Sequence, residues 1–181
     1  MRLRSINLFY FFLGLLLGAA QGYAQAPAPT EYQIKAAFLY NFAKFVDWPP
    51  QAFTNENSEF VIGILGDNPF GEDLARTVAG KNVNERTIAI QKFTDAAETK
   101  NCHILFISTS EKNRLPEVFE KLKGRSILTV GEMERFTESG GIINFVREAS
   151  KIRFQINDPA AKAIQLKISS KLMSLAVSAS P

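Results

Sequence analysis

"FVIGILGDNPFGEDLARTVAGKNVNERTIAIQKF", residues 60–93, reads as strand, helix, strand, and that succession decides the fold class. The opening FVIGILG is an unbroken apolar run of strand length, the pattern of a strand covered on both faces. In NPFGEDLARTVAG, Pro69 stands near the start and Gly80 just past the end, the punctuation of a helix. RTIAIQKF then supplies a second strand. Two strands joined through a helix imply a crossover connection and parallel pairing.

The same alternation runs outward in both directions. Downstream, DAAETKN is a short helical piece and CHILFIS (102–108) a third strand. A helix is predicted across EKNRLPEVFEKLKG, with Pro116 early in it. RSILTV makes a fourth strand, and GEMERFTESGG a short helix closed by two glycines. GGIINFVREASKIRFQIN (140–157) reads as two strands around a polar turn. In its second half Ile152, Phe154 and Ile156 alternate with Lys151, Arg153 and Gln155, one packed face and one wet. A last helix is expected from Pro159 to Ala176, with Ile164, Ile168, Leu172 and Leu175 on one side. Upstream, Thr30 and Gln33 form a capping-box pattern before a helix whose Ile34, Phe38, Phe42 and Phe45 share a face. The expectation is a single-domain α/β fold: a largely parallel sheet of about six strands, a C-terminal antiparallel hairpin, and helices on both faces.

The N-terminus indicates the compartment. Arg2 and Arg4 precede an apolar run from Ile6 to Ala20, and Gly22 and Ala24 stand at the small-residue positions of a cleavage site. A charged start, a short apolar run and a small-x-small exit predict a signal peptide over 1–24. The run falls short of the roughly 20 residues that cross a bilayer. A Pro/Ala tether (25–31) and a domain over 32–177 follow, and the expected location is the periplasm. Removing Arg2 and Arg4 leaves 19 basic against 18 acidic residues, so no basic surface for nucleic acid is expected.

The reactive side chains are few. Cys102 is the only cysteine, so no intramolecular disulfide can form, and in the apolar run CHILFI it reads as buried and inert. His103, the only histidine, is its neighbour in a strand, where adjacent side chains point to opposite faces, a poor geometry for a Cys–His pair. One His, one Cys and scattered carboxylates do not make a metal site, and no cofactor motif is present. The chain therefore does not read as an enzyme. Open parallel sheets bind ligands beyond their strands' carboxyl ends, which here offers Asp67, Asn68, Ser108 and Thr109 as a cleft for a small ligand. The hairpin offers a second surface, with Asn144, Arg147, Arg153 and Asn157 beside Phe145 and Phe154. Those residues suit protein recognition, or their charges merely blunt a sheet edge; both readings stand at this point.

Taken in order, IKAAFLYNFAKFVDWP, FVIGILGDNPFG, CHILFIS, GRSILTV, GGIINFVREASKIRFQIN and LKISSKLMSLA resemble the YfiR-type family of small periplasmic regulators, over about residues 32–177. The resemblance implies a compact α/β domain and a repressor. Its partner would be the periplasmic domain of a membrane diguanylate cyclase or a related sensor kinase. Repression would keep cyclic di-GMP and biofilm matrix low, with release by an outer-membrane-associated factor or by envelope or redox stress. On that reading the hairpin and first helix are candidate partner surfaces, and a homodimer is an open option. Relatives carry paired cysteines, whereas the first strand here has Gly63 and no cysteine, so redox control through an intramolecular disulfide is not expected.

Overall fold

The computed structural model describes residues 28–178. The expected signal peptide (1–24) and the start of the expected tether lie outside the described residues. The first helix, α1 (Glu31–Phe45), begins as its sequence dictates: the Thr30 hydroxyl accepts the Gln33 N–H, and the Gln33 side chain accepts the Thr30 N–H. Its buried face carries Lys35, Ala36, Leu39, Phe42 and Ala43. Ile34, Phe38 and Phe45 flank that face half-buried, so the stripe is rotated slightly from the expected one and takes in a lysine.

The strands are β1 (Val46–Asp47), β2 (Phe60–Leu65), β3 (Asn82–Val83), β4 (Arg86–Phe93), β5 (Ile104–Ile107), β6 (Leu128–Gly131), β7 (Ile143–Glu148), β8 (Lys151–Ile156) and β9 (Lys167–Ile168). The main sheet has seven strands in the order β3-β4-β2-β5-β6-β7-β8. Strands β4, β2, β5, β6 and β7 run parallel, and β3 and β8 are antiparallel edges. The order reverses between β2 and β5, as in doubly wound sheets. Alternation along β2 sends Phe60, Ile62 and Ile64 into one core layer and Val61 and Leu65 into the other. Two further helices complete the cover, α2 (Asp73–Val78) and α3 (Leu115–Leu122). Helices α1 and α2 bury the first layer and α3 the second. The sheet class and the two-sided cover match the expectation, with one strand more, the two-residue β3.

Four segments depart from the sequence reading. Helix α2 begins at Asp73, four residues after Pro69, because the Asn68 side chain first folds a turn by accepting the Phe70 N–H. The segment predicted as a helix over 111–124 starts as a 3-10 stretch, Thr109–Arg114, before α3, whose Pro116 sits in the first turn where no donor is needed. Residues 132–142 form turns instead of a helix. Phe136, fully buried, lies against the backbone of Gly131 and Gly141, where a Cβ would collide with its ring. Of the two glycines expected to close a helix, Gly141 instead makes room for this ring, and Gly140 turns the chain at φ +109. Finally, the expected helix from Pro159 to Ala176 is split into α4 (Asp158–Ala163) and α5 (Ser170–Met173). Gln165 turns the chain at φ 63, Ile168 pairs with Val46 to join β9 to β1, and Ser169 caps α5. Ile164, Ile168 and Leu172 still face the core, which is why the stripe looks continuous, but Leu175 is exposed.

The two ends of the domain meet in an aromatic cluster. Phe145 and Phe154 are cross-strand partners in the hairpin. Phe38 and Phe42 of α1 pack on both, at centroid separations of 5.2–6.0 Å. Phe42→Ala is expected to cost about 3–5 kcal/mol in urea denaturation, the range for an emptied aromatic core position. A loss below about 1 kcal/mol would show that the cluster does not hold the layers together.

Candidate functional site

The hairpin does not present its aromatics to a partner. Phe145 and Phe154 are 4% and 1% exposed and belong to the core, because the period-two alternation that pairs them also turns both toward α1. Asn144 is buried as well: its Oδ1 accepts the Met133 N–H at 3.0 Å and its Nδ2 donates to the Met133 carbonyl at 2.9 Å. It fastens the turns after β6 to β7. Asn157 caps α4 by accepting the Ala160 N–H, and donates to the Thr137 carbonyl. Of the six hairpin residues, the two arginines are left to the surface. Arg147 is 64% exposed and pairs with Glu31 at the start of α1. Arg153 is 42% exposed, with its Nε 3.7 Å from a Glu148 carboxylate oxygen.

The four cleft residues are separated in the same way. Between β2 and β5 the crevice is stitched shut. The Asp67 N–H donates to the Ser110 hydroxyl at 3.0 Å, and Gly66 (φ +84) lies so close to Ser110 and Glu111 that no side chain would fit there. Asn68 is occupied with its own turn, accepting the Phe70 N–H and donating to the Gly71 carbonyl. Ser108 is buried and accepts the Ser110 N–H. Only Thr109 lines an opening, and that opening lies further along the sheet.

It is a recess of about 290 Å3 formed by Glu31, Tyr32, Lys35, Thr109, Glu132 and the hairpin at Phe145–Arg147 and Ile152. Lys35 is its centre. Only 5% of this side chain is exposed, and its ammonium bridges Glu31 and Glu132. The Tyr32 hydroxyl donates to Glu132, and the ammonium sits 4.7 Å from the Tyr32 ring centre. Burial alone would favour the neutral amine, but the hydrogen bonds it donates to Glu132 and Glu31 outweigh that and hold the Lys35 pKa above its ordinary value. The hydrogen bond from Lys35 likewise holds Glu31 below its ordinary value. Desolvation, then the Glu132 charge, pushes the Tyr32 phenol up. Lys35 thus stays protonated at neutral pH and is no nucleophile; the recess offers a fixed pattern of two cations and two carboxylates. The signal that could have found it was Lys35 itself, one turn before Leu39 and two before Phe42 on a face that should be apolar.

Cys102 and His103 are both interior. The Cys102 thiol is pushed up to about 12 by burial, so thiolate chemistry is closed to it. A Cβ at Gly63 would lie 2.7 Å from its sulfur. The His103 ring is stacked between Phe53 and Phe60, at 4.5 and 4.8 Å, and its Nδ1 accepts the Val61 N–H. Burial lowers its pKa to about 4. Among the described residues no cluster of three or more His, Cys, Asp or Glu could hold a metal ion. No described helix is long and apolar enough to cross a membrane.

The model of one protein family, described as YfiR/HmsC-like, matches residues 32–177. The match spans every element from α1 to α5. No curated protein sequence matches the chain.

Two outcomes follow from these buried groups. Lys35→Met strands two carboxylates and is expected to cost about 3–5 kcal/mol in chemical denaturation. Adding Glu132→Gln should recover most of that loss, since Glu31 keeps Arg147; a double variant as unstable as the single would contradict the pairing. His103 binds a proton more readily unfolded, near pH 6.5, than folded, near pH 4. Its stabilisation is therefore full above pH 6.5 and is lost as pH falls toward 4, on the order of 3 kcal/mol. His103→Gln should flatten that part of the Tm–pH curve, and an unchanged slope would assign the effect to other groups.

Proposed function

The chain belongs to the YfiR/HmsC-like family, and from that membership we propose that it is an exported periplasmic regulator that binds the sensor domain of a membrane diguanylate cyclase, or of a related sensor kinase, and restrains it. The observation that carries this reading is the match over 32–177, which takes in the whole described fold. Such a protein needs no reacting groups. It shifts its target toward the inactive state by binding that state more tightly, and its output is a lowered level of cyclic di-GMP and of biofilm matrix.

The partner surface we assign is the outer part of the hairpin with the start of α1. Arg147, on the α1 face, and Arg153, on the opposite face, supply the contacts around this edge, since both side chains reach solvent. Phe145, Phe154, Asn144 and Asn157 act behind them, as the packed and hydrogen-bonded support that fixes where the arginines stand. Release would come from competition for this surface by an outer-membrane-associated factor. Cys102 is not the route for a redox signal, because its thiol is buried and protonated. A second reading is favoured by the recess around Lys35: a small polar ligand could seat between Tyr32, Thr109 and Arg147 and modulate the same hairpin.

Deletion of the gene should raise cellular cyclic di-GMP, and restoring the mature protein to the periplasm should bring it down. The Arg147→Ala/Arg153→Ala double variant should fail to restore repression while keeping its Tm, because exposed ion pairs are worth less than about 1 kcal/mol. Unchanged cyclic di-GMP in a strain that expresses the gene would overturn the repressor reading. In that case a thermal shift with small polar metabolites tests the recess.

A further inference from the structure

We propose that the outer edge of β4, from Ile88 to Lys92, is a strand-addition site for an extended, acidic segment of a partner protein. The inference rests on the geometry of this edge and not on the cyclase reading.

The peptide groups set the argument. The Phe93 carbonyl accepts the Gly66 N–H, so the peptide groups of Phe93, and by alternation those of Gln91 and Ala89, turn toward β2. Those of Ile88, Ile90 and Lys92 turn the other way. On that side β3 covers only Arg86 and Thr87, paired with Val83 and Asn82. The chain then swings off the edge at Lys81 and at Gly80 (φ +68). With Thr87 turned toward β2, its pairing with Asn82 runs through the flanking groups, so the Lys81 carbonyl takes the Ile88 N–H. Among the described residues no turn, loop or side-chain hydrogen bond reaches the outward groups of Ile90 or Lys92. The donors of Ile90 and Lys92 and the acceptors of Ile88, Ile90 and Lys92 stand in strand register, and that is a template for another strand.

The opposite edge is treated differently. On β8 the C-terminal segment closes in, with the Val177 N–H donating to the Phe154 carbonyl at 2.9 Å. Lys151 and Arg153 also lie along it. An edge guarded at one end of the sheet and open at the other points to use of the open one.

Side chains beside the open edge specify the occupant. Where the chain leaves β4 there is a recess of about 400 Å3, walled by Ala75, Val78 and Ala79 of α2 and by Ile88 and Ile90. It would take alternate apolar side chains of an added strand. Around it the charge is basic. Lys44 and Lys81 share the Tyr40 ring, at 5.6 and 4.6 Å, and Lys92 is exposed on the strand itself. None of the three has a carboxylate partner among the described residues. A second copy of this edge would oppose lysine to lysine, whereas a segment with acidic residues beside its apolar ones would neutralise them.

The test uses the mature protein and a short blocked peptide alternating valine and glutamate, with backbone amide exchange read residue by residue. The amides of Ile90 and Lys92 should gain protection of roughly tenfold or more, and those of Ile88, bonded to Lys81, and of Ala89 and Gln91, bonded to β2, should change little. The same peptide N-methylated at alternate amides should lose the effect, and Lys92→Glu should weaken binding several-fold. No protection at high peptide concentration, or equal binding of the methylated peptide, would overturn strand addition. Equal binding by Lys92→Glu would overturn the acidic partner. Protection of the Ile90 and Lys92 amides in the free protein would also overturn the proposal, since the edge would then already be filled by this chain or a second copy.

Discussion

The four-ring contact between α1 and the hairpin is the constraint on which the rest depends. Phe38 and Phe42 meet Phe145 and Phe154, and their contact closes the first core layer at the hairpin end of the sheet. Remove it and the first core layer opens there, because the same helix face carries Lys35 toward Glu132 and Leu39 into the layer. The buried charge cluster exists only where that seal is made: an ammonium with 5% exposure needs its carboxylates delivered to it, one from its own helix and one from the end of β6.

This arrangement divides the hairpin between two tasks. Its inward aromatics hold the first helix; Arg147, on that same face, reaches past them to Glu31, and Arg153 stands on the opposite face. The proposed partner surface and the stability of the core are therefore linked through two residues of one strand, Arg153 and Phe154. A change at the first should alter recognition and leave folding intact, and a change at the second should do the reverse.

Much of the fold was legible because its signals are local. The apolar run of β2, the Thr30–Gln33 box and the glycine after α2 each act within a few residues, and the strands and their class could be read from them. What sequence reading missed was set at a distance. Residues 132–142 carry helix-forming residues and terminal glycines, yet the Phe136 ring takes the space beside Gly141, and beside Gly131 before the segment. The stripe of Ile164, Ile168 and Leu172 has helical spacing, but Val46, far back in the chain, claims Ile168 as a strand partner. The candidate site suffered from the same blindness to direction. Alternation tells which hairpin residues share a face without telling which face the first helix covers, so Phe145 and Phe154 read like members of a surface they support from beneath. A lysine on a helix is ordinarily solvated, and Lys35 gives no local sign otherwise; Glu132, just past the end of β6, makes its burial tolerable.

The small β1–β9 ladder has a consequence for the order of assembly. Helix α1 opens the domain and packs on β2 and α2 nearby in sequence, but the rest of its cover comes from the last third: Phe145 and Phe154, Ile168 across from Val46, and Leu172. A nascent chain with its first hundred residues made would carry this helix with the hairpin side of its apolar face uncovered. Contacts of such long sequence separation close slowly, because the loop entropy is lost before the contact is gained. The domain should therefore commit to its native state only once its C-terminal segment is available, with the central parallel strands poised beforehand. Any partner that recognises the hairpin joined to α1 then recognises, in the same act, that the molecule has been finished.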